Sequence, residues 1–141
     1  MKSVLLIALW SGSFVLAFFF NAGGTELEHN VIGMYRSLLH QLLRQDHTMR
    51  QEFASAYLEK REFNRTQEFR QEELRDFLKD YLSRPRQRPT YLLVDGLDEC
   101  DEREVRDLVA YLRDVTDAAL SRGRHLSVCI SSRRYPTIII T

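Results

Sequence analysis

The stretch Tyr91-Leu92-Leu93-Val94-Asp95-Gly96-Leu97-Asp98-Glu99 constrains this chain more than any other. A short apolar run ends abruptly in a carboxylate, and two more acids follow within four residues. Buried parallel strands read as continuous apolar runs, and ligands of open α/β sheets sit at the carboxyl ends of such strands. The pattern predicts Asp95 at the point where a strand leaves the core, with Asp98 and Glu99 beside it. Hard cations such as Mg²⁺ take oxygen ligands, often one or two carboxylates plus waters and substrate phosphates. A second acid at that edge can orient or deprotonate a water. The same string also reads as a strand followed by an acidic helix N-terminus, where carboxylates complement the helix dipole.

The rest of the composition fits one small domain. Acids and bases balance at 20 each in 141 residues, so no global field draws the chain toward nucleic acid. The bases are mostly Arg interleaved with Glu and Asp, the pattern of solvated helix faces. An apolar content of 44% is enough for a packed core. Cys100 and Cys129 are the only cysteines, and a disulfide framework is not expected. Cys129 lies in an apolar run, and Cys100 sits between Glu99 and Asp101, whose charges disfavour a thiolate. Absence of His at ligand spacing argues against a zinc site. The expected compartment is reducing, hence cytoplasmic.

Periodicity gives the elements. Phe14 to Phe20 is aromatic and β-branched and reads as a strand, closed by the turn signal Asn21-Ala22-Gly23-Gly24. Thr25 with Glu28 makes a capping box. Leu27, Val31, Met34, Tyr35, Leu38, Leu39 and Leu42 then repeat at helical spacing. Met49, Phe53 and Tyr57 predict a second helix, and Leu74, Phe77, Leu78 and Tyr81 a third. Arg84 to Pro89 is a basic, proline-punctuated loop. Val105 through Leu120 repeat as a helix stopped by Gly123, and Leu126 to Ser131 is another strand. Ile138 to Ile140 is either a strand or the apolar start of an unfinished element. Strands alternating with helices predict α/β architecture with parallel pairing. The N-terminus has two readings. Val4 to Leu9 is an apolar run of strand length; alternatively, Met1-Lys2 followed by Ser3 to Trp10 resembles a short signal peptide, and residues 4–20 together resemble a marginal membrane span interrupted by Ser11-Gly12-Ser13.

The acidic strand end is the physical content of a Walker B motif. Its usual companion, G-x-x-x-x-G-K-[ST], is not in this sequence: Lys2, Lys60 and Lys79 are the only lysines, and none follows a glycine. Three blocks nonetheless resemble the NACHT branch of the STAND P-loop ATPases, especially its fungal members, and the nephrocystin-like N-terminal NTPase module. Leu16 to Ala22 with Gly24 to Leu27 resembles that family's second strand and following helix. Leu92 to Glu102 resembles its Walker B block, and Cys129 to Arg133 with Tyr135-Pro136 resembles its sensor-1 strand end.

The resemblance implies an incomplete, three-layer P-loop NTPase-like fold. Residues 1–13 would be an apolar leader or substitute strand, and residues 14–141 a partial NACHT core. Asp95 would hold Mg²⁺, usually through water. Asp98 and Glu99 would be the catalytic acids, with Glu99 activating water. Arg133 would contact the γ-phosphate of ATP or GTP, a role suited to a guanidinium. Without the phosphate loop, the expectation is weak or no nucleotide binding and no turnover, with an ancestral role in signalling or nonself recognition. In the family the phosphate-loop strand lies beside the sensor-1 strand, and Val4 to Leu9 is expected to take that place next to Val128 and Ile130. Two other readings stand beside this one. A non-enzymatic module would bind an intact relative, or itself, through helical faces around Leu38 or Tyr81. A small membrane-anchored or secreted protein would be led by residues 4–20.

Overall fold

The computed structural model describes residues 12–21, 23–24, 30–63, 69–85, 89–132 and 138–140. In chain order the elements are strand β1 (Phe14–Phe19), helices α1 (Val31–Gln45), α2 (His47–Phe63) and α3 (Gln71–Ser83), strand β2 (Thr90–Asp95), a single 3₁₀ turn (Leu97–Glu99), helix α4 (Glu102–Ser121), and strands β3 (Leu126–Ile130) and β4 (Ile138–Ile140). The sheet order is β1-β2-β3-β4. The first three strands are parallel and β4 is antiparallel to β3. The expected α/β class, with a short, mainly parallel sheet and flanking helices, is what the chain adopts.

Strand alternation sets the two faces of the sheet. Leu16, Leu92 and Val128 stand in register, as do Phe18, Val94 and Ile130. These six residues join the buried faces of α1, α3 and α4 in one hydrophobic cluster. Each helix contributes a stripe at the three-and-four spacing that faces a core. On the opposite sheet face Val15, Ala17, Tyr91 and Cys129 are half-buried, while Leu93 is buried.

Local chemistry explains the boundaries. Helix α1 begins at Val31, where Asn30 holds an extended conformation (φ −130°, ψ 161°) and its Oδ1 accepts from Gly33 N at 2.7 Å. The capping box expected at Thr25 and Glu28 lies outside the described residues. Asp46, between α1 and α2, is buried. Its Oδ1 accepts from Met49 N at 3.1 Å, and its Oδ2 accepts from the Tyr81 hydroxyl, which ties the start of α2 to α3. Phe53 of α2 packs on Phe77 of α3 at 5.3 Å between ring centroids and on Phe69, just before α3, at 5.2 Å.

Among the described residues β1 is an edge strand, and such edges expose unpaired amides and carbonyls. Here α1 covers it. Gln41 of α1 accepts from Ala17 N at 2.8 Å and donates to Ala17 O at 2.7 Å, so its side-chain amide imitates a neighbouring strand. Gln45 donates to Val15 O at 3.0 Å.

Three expectations change. Leu38 and Tyr81 are fully buried in the core, so the faces around them pack within this chain, against the sheet and neighbouring helices. Residues 14–19, the second half of the candidate membrane span, form β1. Among the described residues no helix is long and apolar enough to cross a membrane. Val4 to Leu9 lies outside the described residues, but the ladder assigned to it is taken. Val128 pairs with Ile140 and Ile130 with Ile138 on one side of β3, while β2 pairs with β3 on the other. The isoleucine run at 138–140 is thus a strand, and it covers the apolar edge that would otherwise be open.

Candidate functional site

The acids gather where β2 and β3 end. Because these strands are direct neighbours in register, Asp95 follows Val94 just as Ser131 follows Ile130. Ser131 Oγ donates to Asp95 Oδ1 at 2.5 Å, and Gly96 N donates to the same oxygen at 2.7 Å. Ser131 N donates to Val94 O at 2.9 Å, fixing the strand end from which that hydroxyl reaches. The second carboxylate oxygen of Asp95 accepts no hydrogen bond among the described residues. One oxygen is therefore held in place by the protein while the other remains available, and the side chain is half-buried.

The turn after Asp95 is shaped by Gly96, which is left-handed at φ +80° and ψ 29°. A β-carbon there would lie 2.5 Å from Phe20 O, so β1 and the turn approach more closely than any other residue allows. Phe20 N donates to Asp95 O at 2.9 Å across this contact. The chain then makes one 3₁₀ turn through Leu97, whose side chain is buried, with Asp98 and Glu99 on its half-buried flank. Ser132 Oγ donates to Asp98 Oδ1 at 3.4 Å, a long bond that still draws Asp98 to the end of β3. Asp101 caps α4 by accepting from Arg103 N at 2.8 Å.

The fold thus brings Asp95 and Asp98 to one sheet edge, each hydrogen-bonded to one of the adjacent serines. Glu99 shares the turn with Asp98. Arg133 lies outside the described residues. Among the described residues no group of three or more His, Cys, Asp or Glu side chains is arranged to hold a metal ion. An Mg²⁺ bound largely by water and one carboxylate needs no such group. Oδ2 of Asp95, a hard oxygen with its partner oxygen fixed, fits that chemistry. The serines are the part that sequence reasoning missed as site residues. The signal was present in Ser131-Ser132 directly following an apolar run, but only the β2–β3 register shows that they face the acids.

Cys100 borders this site. Burial, then the charges of Glu104, Glu99 and Asp98, push its thiol up to about 12, so it stays protonated at neutral pH. Burial also raises Cys129. Both cysteines are free.

No curated protein and no solved structure matches the chain. A family model described as nephrocystin 3, N-terminal, matches residues 3–133. That segment takes in β1, the four helices, the acidic turn and β3, the elements that build the site. With nearly its whole length matched, from before the first strand to the serines that meet Asp95 and Asp98, the chain belongs to the nephrocystin 3 N-terminal family.

Proposed function

We propose that this chain is the cation-binding part of a NACHT-type nucleotide module within a larger signalling protein. The observation that carries the reading is Asp95. It stands at the carboxyl end of a buried parallel strand, with one oxygen fixed by Ser131 and Gly96 and the other available. In this reading Asp95 holds Mg²⁺, through water or directly, and Glu99 with Asp98 orients a water molecule. Arg133, two residues beyond Ser131, contacts phosphate. Bound Mg²⁺ supplies charge neutralisation for the phosphates of ATP or GTP. The sequence carries no phosphate-cradling loop, so the nucleotide is held mainly through the cation. Turnover is not expected, and the module acts by binding.

Isothermal titration with Mg-ATP and Mg-GTP tests this. The expected dissociation constant is on the order of millimolar, about 4 kcal/mol of binding free energy. Asp95→Asn keeps an acceptor for Ser131 and Gly96 but removes the charge, so it abolishes the Mg²⁺-dependent heat while leaving the melting temperature nearly unchanged. Absence of any Mg²⁺-dependent heat in the unmodified protein would sink the nucleotide reading. Micromolar affinity would show a phosphate site elsewhere in the chain.

A further inference from the structure

An ionised carboxylate offers two oxygens and about four lone-pair positions to donors or cations. The strand end divides those of Asp95 unevenly. Ser131 Oγ donates to Oδ1 at 2.5 Å, and Gly96 N donates to the same atom at 2.7 Å. Two donors at these distances occupy both lone pairs of Oδ1. Oδ2 accepts no hydrogen bond among the described residues.

Both donors are themselves fixed. Ser131 N donates to Val94 O at 2.9 Å, and Ser131 O accepts from Leu97 N at 3.4 Å, so its backbone is tied both to β2 and to the acidic turn. Gly96 is held at φ +80° against the backbone of Phe20. The carboxylate of Asp95 therefore cannot turn Oδ1 outward without breaking two bonds, and it meets a cation through Oδ2 alone.

Divalent cations differ in how they take that restriction. Mg²⁺ wants a near-ideal octahedron, keeps several waters, and is bound through one or two carboxylates plus phosphate oxygens. Ca²⁺ takes about six to eight oxygens in looser geometry and often draws both oxygens of one carboxylate. Among the described residues no group of three or more His, Cys, Asp or Glu side chains is arranged to complete such a shell. A single carboxylate oxygen suits Mg²⁺ and leaves Ca²⁺ short of ligands.

We propose, on the reading above that Asp95 is the cation's ligand, that Ser131 sets the choice of cation and favours Mg²⁺ over Ca²⁺. Ser131 acts through Asp95 and is a positioning residue. Without its hydroxyl, Gly96 is the one remaining donor to Oδ1. A lone pair is released, and both oxygens of Asp95 can close on the same cation. Threonine at this position carries the same hydroxyl on a β-branched carbon, which a strand end accommodates, and keeps Oδ1 occupied.

Amide NMR titrations of the full chain with Mg-ATP and with Ca-ATP test the proposal. The Gly96 amide is the closest probe, because its hydrogen bond ends on Oδ1. In the unmodified protein Ca-ATP is expected to bind about fivefold more weakly than Mg-ATP. S131A is expected to bring the ratio near unity by tightening Ca-ATP, and S131T to retain it. A purely structural role for Ser131 would weaken both complexes together and leave the ratio where it was. That result in S131A would overturn the proposal, as would equal affinities in the unmodified protein or loss of the ratio in S131T. No response of any amide to either complex would refute Asp95 as the cation ligand, and the selectivity with it.

Discussion

Replacing Gly96 with alanine is expected to destabilise the chain by about 3 kcal/mol, and the geometry gives the parts. A non-glycine residue in the left-handed region costs about 1 kcal/mol. The new β-carbon would meet Phe20 O at 2.5 Å and Phe20 C and N at 3.3 Å. These are backbone atoms, which cannot rotate away as a side chain would. Relieving the overlap separates the end of β1 from the turn after β2 and weakens the Phe20 N to Asp95 O bond of 2.9 Å, a loss of about 1 kcal/mol. Residual strain and displaced packing of Leu97 add about another 1 kcal/mol. Gly123 is the internal control. It too has a positive φ, +74°, but a β-carbon there meets nothing within 4 Å, so Gly123→Ala costs about 1 kcal/mol at most. Urea unfolding followed by far-ultraviolet circular dichroism separates the two. With a slope of about 1–3 kcal/mol/M, Gly96→Ala moves the midpoint down by roughly 1–3 M and Gly123→Ala by less than about half of that. Equal shifts would refute the reasoning, because only the approach of Phe20 distinguishes the sites.

Two further outcomes follow from contacts at the periphery. Gln41→Leu removes both hydrogen bonds to Ala17 and reopens the β1 edge, so a loss of about 2 kcal/mol and faster aggregation in light scattering are expected. Glu73 is held below its ordinary carboxylate value mainly by its hydrogen bond with Lys60, at 2.5 and 2.7 Å. A lowered folded-state value means that the pair stabilises above pH 4.5 and that this stability is lost as pH falls through the folded-state value. Glu73→Gln therefore lowers stability at pH 7 by on the order of 0.5 kcal/mol, the scale of a solvent-screened pair, and the difference vanishes in unfolding curves at strongly acidic pH.

The elements were legible in the sequence because each buries a regular face. Leu74, Leu78 and Tyr81 fall on the inner stripe of α3, and Leu108, Leu112, Val115 and Ala119 on that of α4. Asp95 was legible because an apolar run ends there. Pairing between elements was not. Nothing in the periodicity of Leu126 to Ile130 says whether its neighbour is β2 or another strand, since either presents the same backbone groups. The partner of Ile138 to Ile140 was hidden for the same reason. The serines opposite Asp95 and Asp98 follow from those pairings, so they emerge only in three dimensions.

The Gln41 clasp on Ala17 also bears on the order in which the molecule assembles. Ala17 and Gln41 are 24 residues apart, whereas Phe14 meets its strand partner Thr90 after 76 intervening steps of chain. Closing the shorter loop is cheaper by about 1 kcal/mol of chain entropy. As the polypeptide emerges from its N-terminal side, β1 and α1 can engage each other before β2 has been made. This hypothesis predicts that pulse-labelled hydrogen exchange protects the Ala17 amide together with α1 and ahead of β2. Simultaneous protection of Ala17 and β2 would contradict it. The helix then acts as a temporary companion to the nascent strand, occupying its outer side while its permanent neighbour is still being synthesised.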